Sequence, residues 1–283
     1  MSWAPTCRPG RGASRWPAAT AGRWSCARWN STAPVATTRC VSSRTVRSSL
    51  ETDLAAERRI LVVAAHTDDE ILGAGATMAM HLSCGDHVGV LILGEGERSR
   101  APAGAAVDDA VTQLGILAER AAAAVGAELL KRREFPDNAF DTVPLLEIVR
   151  SIEQVVERYH PALVYTHFGG DLNIDHELTC RAVVTATRPV RAGSPDLLSF
   201  EVRSSTDWAD AMHPSRSFQP NTWVAASDDA VDRKFAALRV YEREMRPFPH
   251  SRSYEAARAL LRHRGAQAGV AAAEAFVLLR SIR

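Results

Sequence analysis

From about residue 59 onward, short apolar runs alternate with longer stretches of helical periodicity. Runs of Ile, Val and Leu bounded by turn residues predict strands at 59–65, 87–93 and 162–166 that are buried on both faces, and a further strand fits 128–133. Between them the spacing predicts a helix over 71–83 ended by Gly85 and an Ala-rich helix reaching about residue 125. A helix over 145–159 is stopped by Pro161, and Asp175-His176 opens another that runs through Arg188. This βα alternation implies an α/β fold, a mostly parallel sheet with helices on both faces. Beyond residue 190 the pattern loosens. Strands at 197–203 and 221–226, helices at about 229–243 and 252–263, and a final strand at 274–280 complete the expected path. No internal repeat is evident.

Composition divides the chain in two. The first fifty residues contain no Asp or Glu, eight Arg, four of the six Trp and three of the five Cys, and they show no periodicity. They read as a disordered or artefactual basic tail, with a transit peptide as the competing reading, so the fold is expected in residues 51–283. Removing those eight Arg from 34 basic residues leaves 26 against 33 acidic ones, so the body is acidic and no nucleic-acid partner is expected. No run of 18 apolar residues exists, which argues against a membrane span. Two cysteines in the body, Cys84 and Cys180, make no disulfide framework and read as small buried hydrophobes, which suits the cytoplasm.

The chemistry concentrates in two places. The apolar run from Ile60 to Ala65 ends in His66-Thr67-Asp68-Asp69-Glu70, one imidazole and three adjacent carboxylates. Carboxylates this close repel one another and are costly to bury, and a divalent cation relieves both problems. Zinc suits such a mix of nitrogen and oxygen ligands. A second cluster, from Tyr165 to His176, follows the strand at 162–166 and contains Asp171, Asn173, Asp175 and His176. Open α/β sheets place their ligands at the carboxyl ends of strands. Taken singly, His66 also reads as a satisfied strand-end histidine, and His176 as a helix N-terminal residue beside a capping Asp175.

His66-Thr67-Asp68-Asp69-Glu70 resembles the His-Pro-Asp-Asp-Glu signature of the LmbE/PIG-L family of zinc-dependent N-deacetylases, and Asp175-His176 resembles that family's second motif. Gly94-Glu95-Gly96, Lys234, Ala237, Leu238, Tyr241 and Glu274-Ala275-Phe276 extend the likeness over roughly residues 57 to 283. The resemblance implies a Rossmann-like (LmbE-like) hydrolase in which His66, Asp69 and His176 bind Zn2+ or another divalent metal and Asp68 is the general base. Glu70 and Asp175 are expected behind these groups, orienting a ligand or a backbone amide. Two positions depart from the family. Thr67 replaces the usual Pro, and Asn173 stands where some members have a His that stabilises the oxyanion. An amide can donate to an oxyanion but cannot deliver a proton. Asn173 therefore reads as an oxyanion donor or a turn former, and protonated Asp68, with His167 as an outside candidate, is left to protonate the leaving amine.

Arg98 and Arg100, in the loop after the second strand, and Asn138, in the turn-rich 135–141 segment, are candidate substrate contacts. The expected substrate is an N-acetylated amino sugar or sugar conjugate of the N-acetylglucosamine type, giving acetate and a free amine. Three other readings remain: a metal-dependent amidohydrolase acting on another amide, a nucleotide-binding α/β module using Gly73 and Gly75, and a metal-binding domain that has lost catalysis, with Asn173 as its sign. The second is weakened by the three acids that precede those glycines, which would repel a pyrophosphate.

Overall fold

A computed structural model describes residues 57–96, 107–190, 193–209 and 216–282. The first fifty residues, and Arg98 and Arg100, lie outside the described residues. Strand β1, Arg59–Ala64, is central, and its residues from Ile60 on are fully buried. It pairs in parallel with β2, His87–Gly94, on one side and with β4, Leu163–His167, on the other. β3, Glu128–Phe135, extends the sheet beyond β2, and β5, Asp196–Phe200, extends it beyond β4, both in parallel. β6, Thr222–Ala225, and β7, Ala273–Arg280, finish the seven-stranded sheet in the order β3-β2-β1-β4-β5-β7-β6. β7 runs antiparallel to both of its neighbours, a feature that the looser periodicity after residue 190 does not reveal.

Alternation along β1 divides the core between the two faces. Ile60 and Val62 pack with residues of α1 (Asp69–Ser83), α2 (Val107–Val125), α5 (Asp228–Val240) and α6 (Tyr254–Ala268). Leu61 and Val63 pack with residues of α3, Leu145–Tyr159, and α4, Ile174–Ala186. Both faces of the strand are therefore dry, which is why its sequence shows no polar alternation.

Helix α1 begins at Asp69, two residues earlier than its periodicity predicts. Acidic side chains are favourable in a first helical turn, where free N–H groups point outward, so Asp69 and Glu70 belong to the helix rather than to the preceding turn. Gly73 and Gly75 lie inside this helix. A Cβ on Gly73 would fall 2.2 Å from Cδ2 of Phe200, and one on Gly75 would fall 3.1 Å from Cγ of Lys234. These glycines serve close packing, and no phosphate-binding loop exists here. Lys234 and Glu274 form a buried ion pair against the same helix. Lys234 donates to the carbonyl of Leu72 at 2.7 Å, and Glu274 accepts from the N–H groups of Ala76 and Thr77 at 3.2 and 2.7 Å. Cys84 follows the last turn of α1 and is exposed, because the helix ends before its face turns inward again; Cys180 is buried as expected. Among the described residues no helix is long and apolar enough to cross a membrane.

Candidate active site

The sheet builds outward from β1 to β2 and β3, then returns to place β4 and β5 on the other side of β1. The crevice at such a reversal, beyond the carboxyl ends of β1 and β4, is where doubly wound sheets bind ligands. Both polar clusters end there. His66 follows β1, Asp69 is the first residue of α1, and His176 lies in the first turn of α4.

Three atoms converge. Oδ2 of Asp69 is 3.2 Å from Nδ1 of His66 and 3.1 Å from Nε2 of His176, and the two nitrogens are 3.3 Å apart. Ligands held at about 2.0–2.1 Å in a tetrahedron stand about 3.4 Å from one another, so the triangle has the size that zinc requires. Oδ1 of Asp69 is buried without a hydrogen-bond partner, and the Arg252 guanidinium faces it only at 3.9 Å, so the carboxylate can take a further cation. The donor set, two imidazoles and one carboxylate, of which His66 lines a cleft, fits a catalytic zinc or a similar divalent ion.

Each imidazole is oriented from behind by a carboxylate. Oδ2 of Asp175 lies 2.9 Å from Nε2 of His66, while its Oδ1 accepts from the Phe140 N–H at 2.9 Å. Oδ1 of Asp171 lies 3.2 Å from Nδ1 of His176, and Asp171 is itself bonded by the hydroxyls of Ser205 and Thr206. Such partners fix the ring tautomer that presents a lone pair to a metal. Asp137 adds a third carboxylate 3.4 Å from Nε2 of His66. His66, Asp137 and Asp175 thus form a second cluster, but with Nδ1 turned into the first triangle, Nε2 is the proton-bearing side that Asp175 accepts from.

Electrostatics follow this arrangement. Burial alone would lower the pKa of His66, but hydrogen bonds to Asp175 and Asp69 raise it to about 10. Burial is likewise outweighed at His176 by the charge of Asp69 and the bond to Asp171, which raise it to about 9. Burial would raise Asp69, yet the positive charge of His176 and the bonds from His176 and His66 hold it well below the usual carboxylate range. The triangle therefore favours a positive charge at its centre.

Asp68 precedes α1 with φ 96°, a conformation that costs a non-glycine residue on the order of 1–3 kcal/mol. Its N–H donates to Oε2 of Glu70 at 3.0 Å, and Glu70 accepts from the Tyr241 hydroxyl at 2.8 Å. Its carboxylate accepts from Nη1 of Arg252 at 2.8 Å. Burial pushes Asp68 up to about 7 against the opposing pull of Arg252, a value near that of an effective general base. Burial also pushes Glu70 up, to about 8, although the Tyr241 bond opposes the shift.

His66, Asp68, Asp137, Asn138, Asn173, Glu244 and Arg252 line a cleft of about 80 Å3. Asn173 does two things there. Its Oδ1 caps α4 by accepting the Asp175 N–H at 2.8 Å, and its Nδ2 donates to Oδ1 of Asn138 at 2.9 Å. His167 is not in the cleft. It is fully buried, stacked on His176 at 3.9 Å, and its Nε2 accepts the Ala65 N–H at 2.8 Å. Burial and the charge of His176 hold it neutral, which removes it as a proton donor to substrate. Asp137, Glu244 and Arg252 were not singled out from sequence, and Asp171 was counted in the second cluster without a role. Asp171 carried a signal, a carboxylate in the turn between β4 and the second histidine, whereas Arg252 stands in a stretch without periodicity or motif.

Fold and cluster together define a doubly wound α/β protein with a candidate metal triad at its topological switch point. Residues 61–187 match the model of the PIG-L family, described as GlcNAc-PI de-N-acetylase. No curated protein matches the sequence. Among solved structures, the conserved protein TT1542 from Thermus thermophilus is similar at 26% identity and TM-score 0.61, over 80% of this chain and 96% of that one. N,N'-diacetylchitobiose deacetylase from Pyrococcus horikoshii gives 16% and 0.63, over 81% and 88%. GalB, the 4-carboxy-2-hydroxymuconate hydratase from Pseudomonas putida, gives 21% and 0.61, over 80% and 98%. A deacetylase and a hydratase share this fold, so the reaction has to be argued from the site.

Proposed function

We propose that residues 51–283 form a metal-dependent hydrolase that removes the acetyl group from an N-acetylglucosamine-type sugar or sugar conjugate. The observation that carries this reading is the His66–Asp69–His176 triangle, whose His66 lines a cleft together with Asp68. The family's description and the deacetylase among the similar structures support the same reaction. Zinc or a related ion held by these three residues would supply a Lewis acid for the amide carbonyl and lower the pKa of water toward about 7.

The residues supply the rest. Asp68 takes a proton from the attacking water as the carbon–oxygen bond forms. Asn173, beside Asn138 at the cleft wall, is the donor assigned to the oxyanion. As the carbon–nitrogen bond breaks, protonated Asp68 returns its proton to the departing amine, leaving acetate and a free amino sugar. Asp175 and Asp171 hold the two imidazoles in place throughout. Arg98, Arg100 and Asn138 are the proposed contacts to the sugar or its substituent. The proposal places the enzyme in the cytoplasm, on a body whose two cysteines are both free.

Metal analysis of the purified protein, combined with acetate release from N-acetylglucosamine conjugates and from N-acylated analogues, tests the reading. One equivalent of metal and acetate release are expected. Metal-loaded protein that hydrolyses another acyl amide but no acetamide would replace the substrate with that amide, and loaded protein with no amidase activity would end the hydrolase reading.

A further inference from the structure

We propose that Arg252 is a positioning residue that fixes the Asp68 carboxylate for proton transfer; the inference rests on the reading of Asp68 as the base. Three separate devices hold Asp68. Glu70, braced by Tyr241, holds its N–H; the start of α1 fixes its backbone at φ 96°; and Arg252 holds Oδ2 of its carboxylate. Backbone strain of this kind persists where surroundings over-determine a conformation, and such positions cluster at functional sites. The ion pair engages Oδ2, so Oδ1 is the oxygen assigned to receive a proton from the cleft that Asp68 lines.

Arg252 is itself built into a frame. Its Nε donates to Oγ of Ser204 at 2.8 Å while Nη1 donates to Asp68, so a single planar guanidinium spans two fixed partners. Its N–H donates to Nδ1 of His250 at 3.0 Å. The preceding residue is tied to the same loop, because the Ser204 N–H donates to Oγ of Ser251 at 3.0 Å and Nε of Arg203 donates to the Ser251 carbonyl at 3.3 Å. That loop also carries Ser205 and Thr206, which hold Asp171 behind His176. One segment, residues 203–206, thereby sets the position of a metal-ligand histidine and, through Arg252, of the proposed base. Lysine carries the charge but not the two-point fork, so it cannot reproduce this placement.

The test is steady-state acetate release by metal-loaded, full-length protein carrying Arg252→Gln, Arg252→Lys, Asp68→Asn, or Asp68→Asn with Arg252→Gln. Misplacing a catalytic group by about 1 Å costs up to roughly 10²-fold, so both Arg252 variants should lose about 10- to 100-fold in kcat with KM and metal content near those of the parent. If Arg252 acts through Asp68, adding Arg252→Gln to Asp68→Asn should cost nothing further. Parental kcat in both single variants, or a full additional loss in the double variant, would overturn the role. A parent that releases no acetate would instead overturn the functional reading, and this role with it. Should Arg252→Gln fail to fold, Arg252→Lys against the same Asp68→Asn background gives the comparison.

Discussion

Nε2 of His176 stands 3.3 Å from Nδ1 of His66, although 110 positions separate the two in the chain. Two imidazole nitrogens facing each other over a shared carboxylate need a positive centre between them, either protons or a metal. Removing either ring should therefore remove the metal. His66→Ala and His176→Ala are expected to bind less than a tenth of the parental metal, read by elemental analysis after dialysis. Stripping the parent with a chelator should lower its Tm, since a ligand at 100 times its Kd stabilises by about 2.7 kcal/mol. Unchanged metal content in both variants would place the ion elsewhere.

Asp68 lies next to Asp69, a proposed ligand, but is not part of the triangle; its carboxylate is turned to Arg252. Asp68→Asn should keep the metal and lose at least ~10²-fold in kcat, the scale of a lost general base. Metal content and acetate release measured on the same preparation check this. A variant as active as the parent would remove Asp68 from the mechanism.

Much of this was legible because buried parallel strands write themselves as unbroken apolar runs. β1, β2 and β4 fall within a residue or two of expectation for that reason. The polar clusters were legible too, since His66, Asp68 and Asp69 directly follow one such run and the cluster that holds His176 follows another after a short turn. β7 was placed in sequence but not in direction, because its insertion between β5 and β6 depends on pairings that no local pattern records. Arg252 was illegible for a similar reason: its partners, Asp68 and Ser204, are far away in sequence, and only the folded chain brings them together. Asn173 shows a third limit. A turn-forming cap and a cleft donor use different atoms of the same amide, so residue type alone did not separate the two readings.

Gly73 is required by packing, as the missing Cβ would overlap the ring of Phe200. Gly73→Ala should destabilise the protein by about 1–3 kcal/mol despite the better helix propensity of alanine. Adding Phe200→Leu should recover part of that loss, because the two changes share one contact. Denaturant titration of the single and double variants checks it. A Gly73→Ala protein as stable as the parent would show that the ring can move aside.

Lys234 and Glu274 tie α5 and β7 to the middle of α1, since Lys234 reaches the Leu72 carbonyl while Glu274 takes two N–H groups of the same helix. Removing one partner leaves a buried charge without its counterion. Lys234→Met should therefore cost about 3–5 kcal/mol, whereas Lys234→Met with Glu274→Gln should cost less than Lys234→Met alone. Equal losses in the two, measured by denaturant unfolding, would show that the charge on Glu274 is not what makes the single change expensive.

At the other end of the sheet, His81 bridges Asp86 and Tyr165. Its Nδ1 is 2.7 Å from Oδ2 of Asp86, its Nε2 is 2.9 Å from the Tyr165 hydroxyl, and Arg58 also holds Asp86 at 2.7 Å. With Tyr165 donating to Nε2, the neutral ring satisfies both neighbours. Burial lowers the pKa of His81 below 6.5, and the pull of Asp86 only partly offsets it. A base whose folded pKa is depressed binds its proton more readily when unfolded, so the folded state is favoured above pH 6.5 and loses that advantage as pH falls toward the folded value. Asp86 is also depressed, with the bonds from Arg58 and His81 outweighing burial, so its contribution disappears only at pH below 3.8. Between pH 7 and 5.5 the metal-loaded parent should therefore lose more stability than His81→Gln, which keeps an amide in place of the ring but has no proton to gain. Thermal unfolding at the two pH values separates the cases, and parallel losses in parent and variant would mean that His81 does not carry the acid sensitivity.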